Sequence, residues 1–262
     1  MLGKLLAVVM WMLVAITAQA GGATVVPLDV VNAAGEQRML SQRVAKAYAQ
    51  LGLEVLPAAA LEQLRAAILR FELNLDRIGP AASGVPDGEV RFARLVAAWR
   101  ELRKAADEPV SRTSALEVSL RSERVLAAAE SLAEALAGAG GAGAARVNQA
   151  GRQRMLSQRL AKAFMLYSWG GDAARTRHEM EMVMRDFDAG LAALSGVPDT
   201  SPAARQELDE VTLQWEWLRT ALEAEGALSY RLIVVEAAES IFEATERLTR
   251  IYEQDAMAAS PR

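Results

Sequence analysis

The sequence predicts an all-α protein made of two tandem antiparallel four-helix bundles that follow a signal peptide. Apolar residues recur in alternating steps of three and four, which keeps one helical stripe against its neighbours, and no window shows strand alternation. The chain also repeats itself at an offset of 116 residues, pairing Phe71 with Phe187, Leu75 with Leu191, Trp99 with Trp215, Leu102 with Leu218 and Arg103 with Arg219. With 262 residues, 52% of them hydrophobic, there is enough apolar material for two ordinary domains with packed cores.

The elements follow in order. Lys4, the apolar run Leu5 to Ala15 and the small-x-small triplet Ala18-Gln19-Ala20 form a secretory signal peptide over residues 1–20, cleaved to leave a periplasmic protein. The alternative is an uncleaved membrane anchor, but Leu5 to Ala18 falls short of the roughly 20 residues that span a bilayer. The first bundle covers residues 28–137. Its first helix has Leu40, Val44, Ala47 and Leu51 on a core face; its second has Leu61, Leu64, Ile68, Phe71, Leu75 and Ile78. The third carries Phe92, Leu95, Trp99, Leu102 and Ala106, and the fourth Val125, Ala129, Leu132 and Leu136. A glycine-rich linker, residues 138–145 around "GAGGAG", makes one long uninterrupted helix improbable.

The second bundle, residues 146–258, repeats the plan. Its stripes are Met180, Val183, Phe187, Leu191 and Leu194; then Leu208, Val211, Trp215, Leu218 and Leu222; then Val234, Ala238, Ile241, Thr245, Leu248 and Tyr252. The pentapeptide "SGVPD", at Ser83 to Asp87 and again at Ser195 to Asp199, is a turn by composition. Its offset of 112 implies a small length change in the preceding connection.

Charge and composition narrow the function. Twenty-nine basic against 33 acidic side chains give a net charge of -4 and provide no broad field for nucleic acid or an anionic membrane, so any anion site must be local. The absence of cysteine removes disulfides, thiol nucleophiles and thiolate metal sites. The single histidine, His178, lies among Arg175, Arg177, Glu179 and Glu181 on a solvated face. Without metal-ligand spacing or a phosphate loop, nothing points to an enzyme, a metal or a cofactor.

The most informative stretch is duplicated: "NAAGEQRMLSQRVAKAY" from Asn32 and "NQAGRQRMLSQRLAKAF" from Asn148 agree at 13 of 17 positions. By contrast, Arg65 to Gly79 agrees with its counterpart, Glu181 to Ser195, at 2 of 15. Within the first copy a second stripe, Val31, Ala34, Arg38, Ser41, Ala45 and Tyr48, runs about a third of a turn from the core face by the 3.6-residue period. Val147, Ala150, Arg154, Ser157, Ala161 and Phe164 reproduce it. A helix with two such faces has two partners, and small residues around one arginine let a neighbouring backbone come close. If the two first helices packed through these stripes, Arg38 and Arg154 would meet about a pseudo-twofold axis.

Two unpaired guanidinium groups there would call for an anion, and a planar oxyanion fits their fork. Gly35 and Gly151, one turn earlier, would let a small ligand reach the backbone. The competing reading pairs each arginine with a nearby carboxylate for register or solubility. Arg43, Arg159, Lys46 and Lys162 read as solvent-facing, and Met39 and Met155 as packing. Ser41 and Ser157 lie on the stripe. Gln42 and Gln158 either orient an arginine or face water, and Asn32 and Asn148 read equally well as helix-start residues.

These residues resemble a known family. "NAAGEQRMLSQR" and "NQAGRQRMLSQR" are similar to the signature opening the N-terminal domain of type IV pili methyl-accepting chemotaxis transducers, the PilJ-type domain, and to the box of the NarX and NarQ nitrate/nitrite sensors. The resemblance covers nearly the whole mature chain, in tandem copies. It implies a periplasmic four-helix sensor that reports a ligand to a cytoplasmic signalling module. In the nitrate sensors the box arginine binds the anion at a dimer interface beside the box glycine; those positions correspond to Arg38 with Gly35 and Arg154 with Gly151. Asn32, Ser41, Gln42, Asn148, Ser157 and Gln158 would surround them.

The resulting expectation is a sensory accessory protein that binds nitrate or nitrite and signals through a membrane-bound sensor kinase or chemoreceptor, with homodimerisation open. The alternative is a protein-interaction module of pilus or chemotaxis machinery, in which the arginines grip an acidic partner segment.

Overall fold

The structure is a computed structural model that describes residues 25–223 and 230–259. The expected signal peptide lies outside the described residues. Among them, no helix is long and apolar enough to cross a membrane.

Among the described residues eight α-helices account for the fold: α1 (Leu28–Gly52), α2 (Pro57–Ala82), α3 (Gly88–Ala106), α4 (Arg112–Ala139), α5 (Gly141–Ser168), α6 (Ala173–Ser195), α7 (Pro202–Glu223) and α8 (Arg231–Ala259). Their starts follow local chemistry. Ser111 caps α4 by accepting from the Ser114 N–H, and Asp172 caps α6 by accepting from the N–H groups of Ala174 and Arg175. Pro57 and Pro202 open α2 and α7, where a missing N–H costs nothing. Both SGVPD segments fall at the α2–α3 and α6–α7 turns.

The glycine-rich segment is mostly helical. Gly138 and Ala139 end α4, and α5 has begun by Gly141, so the reversal is confined to the junction with Gly140. Gly141 makes it possible with a φ of +78°, which a residue with a side chain rarely adopts.

In the first half α1 packs on α2 and α4, and α3 on α4 and α2; α5 to α8 repeat the arrangement. Each half is thus an antiparallel bundle. The halves dock through α1 and α5, which run parallel: Gly52 at the end of α1 meets Trp169 just past α5, and Arg38 in mid-α1 reaches Asn148 and the space over Gly151. The pseudo-twofold axis therefore lies along the bundle.

That packing explains the two faces of α1. Nineteen of its 25 residues are buried, against seven of 26 in α2. The outer helices need only one apolar stripe, and they carry the stacked aromatic pairs Phe71–Trp99 and Phe187–Trp215, with ring centroids 3.8 and 4.1 Å apart. Of the expected core positions, Leu61 is corrected: it lies near the start of α2 and is 38% exposed.

Candidate functional site

The second stripe of α1 and its copy on α5 are buried along their length, from Val31 to Tyr48 and from Val147 to Phe164, with Arg38 and Arg154 among the largest fully buried side chains. Each guanidinium folds back along its own helix. Arg38 Nε donates to the Gly35 carbonyl at 3.3 Å, and a methyl group on Gly35 would stand 3.1 Å from Arg38 Nη2. The glycines therefore make room for arginine, a physical reason the sequence reading did not supply.

Across the seam the two arginines converge. The point where Gly151 would carry a Cβ lies 3.1 Å from Arg154 Nη2 and 3.6 Å from Arg38 Nη2. The asparagines are exchanged between halves: Arg38 Nη2 donates to the Asn148 Oδ1 at 2.8 Å and to its carbonyl at 3.2 Å, and Arg154 Nη2 donates to Asn32 Oδ1. Asn32 and Asn148 lie inside their helices and are not helix starts, a correction that gives them a role in holding the arginines.

The arginines are not left unpaired, as the anion argument assumed. Arg38 Nη1 donates to Glu130 at 2.6 Å and Arg154 Nη1 to Glu246, the fourth-helix carboxylate of its own half. Burial pushes the Arg38 guanidinium below its ordinary pKa, with Glu130 opposing the shift and Arg152 and Arg154 adding to it. For Glu246, burial alone would raise the pKa, yet Arg154 and Arg250 outweigh it and hold the carboxyl below its ordinary value. Arg154 Nε is buried without a hydrogen-bond partner.

The remaining candidates support the seam without touching the guanidinium groups. Ser41 and Ser157 hydroxyls donate to the carbonyls of Arg38 and Arg154 at 2.7 and 2.9 Å. Gln42 donates to Ser41 and to the Ser122 carbonyl, and Gln158 to the Ala238 carbonyl, so both tie their helix to the fourth helix of the half. Met39 and Met155 are buried packing.

Lys46, Lys162, Arg43 and Arg159 do not face solvent. Both lysines are fully buried, and each crosses between halves: Lys46 and Arg43 pair with Glu239 on α8, while Lys162 and Arg159 pair with Glu123 on α4. Lys162 also meets Glu179 at 3.0 Å. An amphipathic wheel for one bundle puts these cations outside; docking of the second bundle puts them inside. Burial lowers Lys46 to about 8, partly offset by Glu239 and reinforced by Arg43. Glu123 and Glu239, though burial would raise them, are held low by these cations.

The partners Glu123, Glu130, Glu239 and Glu246 escaped the sequence reading, although a signal was present. They too repeat at the offset of 116, on otherwise dissimilar fourth helices.

Beside the seam, α1, α2 and α8 enclose a groove of about 560 Å³ with Met39, Leu40, Ala67 and Phe242 as its apolar lining and Glu36, Glu246, Arg43 and Arg70 among its charges. Arg43 lies over the Phe242 ring, 4.5 Å from its centroid. Among the described residues, no group of three or more histidine or acidic side chains could hold a metal ion. His178 is exposed.

No curated protein and no solved structure matches the chain. A family model does, twice in tandem: type IV pili methyl-accepting chemotaxis transducer N-term, PilJ, over residues 29–135 and 135–240. Two copies of one family model, meeting near the end of α4 and covering most of the sequence, make this chain a member of the PilJ family.

Proposed function

We propose that this PilJ-family module is a periplasmic sensor that works by binding, not catalysis: it takes a small planar oxyanion such as nitrate or nitrite at the α1–α5 seam and signals through a membrane-bound partner. The observation that carries the reading is the meeting of two buried guanidinium groups over Gly151, each held by an asparagine of the opposite half. An anion there would compete with Glu130 and Glu246 for the arginines. Since those carboxylates sit on α4 and α8, exchange would change how the fourth helices hold the first, which is the differential contact a switch requires.

Calorimetric titration of nitrate, nitrite and sulfate tests this on the wild type, on Arg38→Ala/Arg154→Ala, and on Asn32→Ala/Asn148→Ala, which leaves both ion pairs in place. Heat in the wild type that is lost in both variants supports the site. No heat in the wild type, or equal heat in all three proteins, removes it.

One observation favours a second reading. Both arginines already hold carboxylates, so they can serve as permanent rivets in a protein-interaction module of pilus or chemotaxis machinery. A salt-sensitive protein partner without small-anion heat would select it.

A further inference from the structure

We propose that the seam holds one exchangeable anion per chain, on its Arg38 side, and that Glu130 is the built-in occupant which a planar oxyanion or small carboxylate displaces. This rests on the anion-binding reading above. The two oxygens of Glu130 are divided between halves: Oε2 accepts from Arg38 Nη1 at 2.6 Å, and Oε1 accepts from Arg152 on α5. Asn148 completes the grip on Arg38. A carboxylate between two guanidinium groups is the arrangement that a free carboxylate or nitrate would reproduce. The place also borders solvent, with the Glu130 and Arg152 side chains 22% and 39% exposed, so an incoming anion need not open the core.

The pseudo-symmetric position is built differently. Counting the offset of 116, Glu36 stands where α5 has Arg152, and Ala137 where α8 has Glu253. Glu246 therefore pairs with Arg154 and with Arg250, its own helix neighbour, while Arg70 of the other half acts on it only as a more distant charge and is engaged by Glu36. Glu36 lies 3.9 Å from Arg154 Nη1 and is itself held by Arg70 at 2.9 Å and Asn74 at 2.7 Å. Glu253 is raised by burial, with Glu246 and Glu36 adding to the shift against Arg154 and Asn32. An anion displacing Glu246 on that side would still face two carboxylates, Glu36 and Glu253, around the buried Arg154. On the Arg38 side it would replace one carboxylate and inherit two arginines. Displacing Glu130 would also cut one of the α4–α5 ties, leaving Glu123 with Arg159 and Lys162, so occupancy would loosen the first half from the second at this end of the seam.

The test uses the full chain with Glu130→Ala, and with Glu130→Gln should the alanine variant fold poorly. Formate, acetate and nitrate are titrated by calorimetry, and thermal unfolding is followed in parallel. Removing the internal carboxylate should tighten formate and nitrate binding at least about tenfold, since hydrogen bonds to charged groups of this kind are freed for the ligand. Formate should restore part of the lost thermal stability at a stoichiometry of one. Glu246→Ala should show no comparable gain, and Glu130→Ala/Arg152→Ala should lose it.

Equal gains in the Glu130 and Glu246 variants, or none in either Glu130 variant, would overturn the proposal. If nitrate gives no heat with the wild type while formate fills the Glu130→Ala site, the built-in occupant stands and the sensing role falls. If the wild type binds nitrate and Glu130→Ala binds it no better, the sensing role stands and the occupant falls.

Discussion

The seam helices and the outer helices solve different problems. α2 hides seven of its 26 residues and needs one apolar stripe, so many sequences serve it; it matches α6 at 2 of 15 compared positions. α1 is gripped from three sides, by α2, α4 and α5, and hides nineteen of its 25 residues, among them Arg38, Lys46, Gln37 and Gln42. Each buried polar group needs a partner at a fixed place, which restricts the side chain more than apolarity does. The repeated seventeen residues are the stretch that meets both its own bundle and its twin.

Substitutions can break this contrast, beginning with the largest effect. Trp99→Ala and Trp215→Ala remove one member of each stacked pair in the outer core, and each should cost about 3–5 kcal/mol in denaturant unfolding. Both positions are supported by a neighbouring phenylalanine, and Trp215 also donates to Asp188 at 2.7 Å, so a cost no smaller at Trp215 than at Trp99 is expected.

At the seam, Arg38→Met leaves Glu130 with the half-exposed Arg152 as its remaining partner. About 3 kcal/mol should be lost, since one member of a largely buried pair is removed. Glu130→Gln/Arg38→Met should recover part of that loss if the stranded charge is its cause.

Gly52→Ala tests the docking of the halves alone, because its methyl group would land 1.8 Å from Trp169 Cη2. A loss of about 1–3 kcal/mol is expected from overpacking, relieved by Trp169→Leu.

Acid and base probe the same seam through its ion pairs. Glu123, Glu239 and Glu246 have folded pKa values held below the ordinary 4.5. Their contribution is therefore present above that value and is lost as pH falls through the lowered ones; Glu253, raised by burial, runs the other way. Lys46 is depressed from 10.5 to about 8, so between those values the unfolded chain binds more protons and stability rises with pH. Lys46→Met should flatten that rise in unfolding measured from pH 7 to 10. The smallest effect belongs to the outer surface: Arg247→Ala loses a pair with Glu207 that is half exposed on the arginine side and should cost under about 1 kcal/mol.

How much of this was legible in the sequence follows the same division. The eight helices, the aromatic cores and the turns at SGVPD could be read because local periodicity determines them. The convergence of Arg38 and Arg154 could be read too, since both lie on a second small-residue stripe. What periodicity cannot show is which polar residues a second bundle will cover. Lys46 and Lys162 looked solvent-facing on one wheel, yet Glu239 and Glu123, which pair with them across the seam, lie on the other half, 193 and 39 residues away along the chain. The carboxylates Glu130 and Glu246 carry only the mark of recurring at the offset of 116, which does not show which arginine each one meets.

The short junction at Gly140 and Gly141 has one more consequence. Two separate identical subunits meeting on a twofold would be obliged to present the same residue at both equivalent places, whereas a single polypeptide is free of that rule. Joining the halves covalently also keeps them at a high effective concentration at any dilution. Fusion thereby lets Glu36 and Arg152 differ, so that Glu130 gains a second arginine across the seam while the equivalent position beside Glu246 holds a carboxylate.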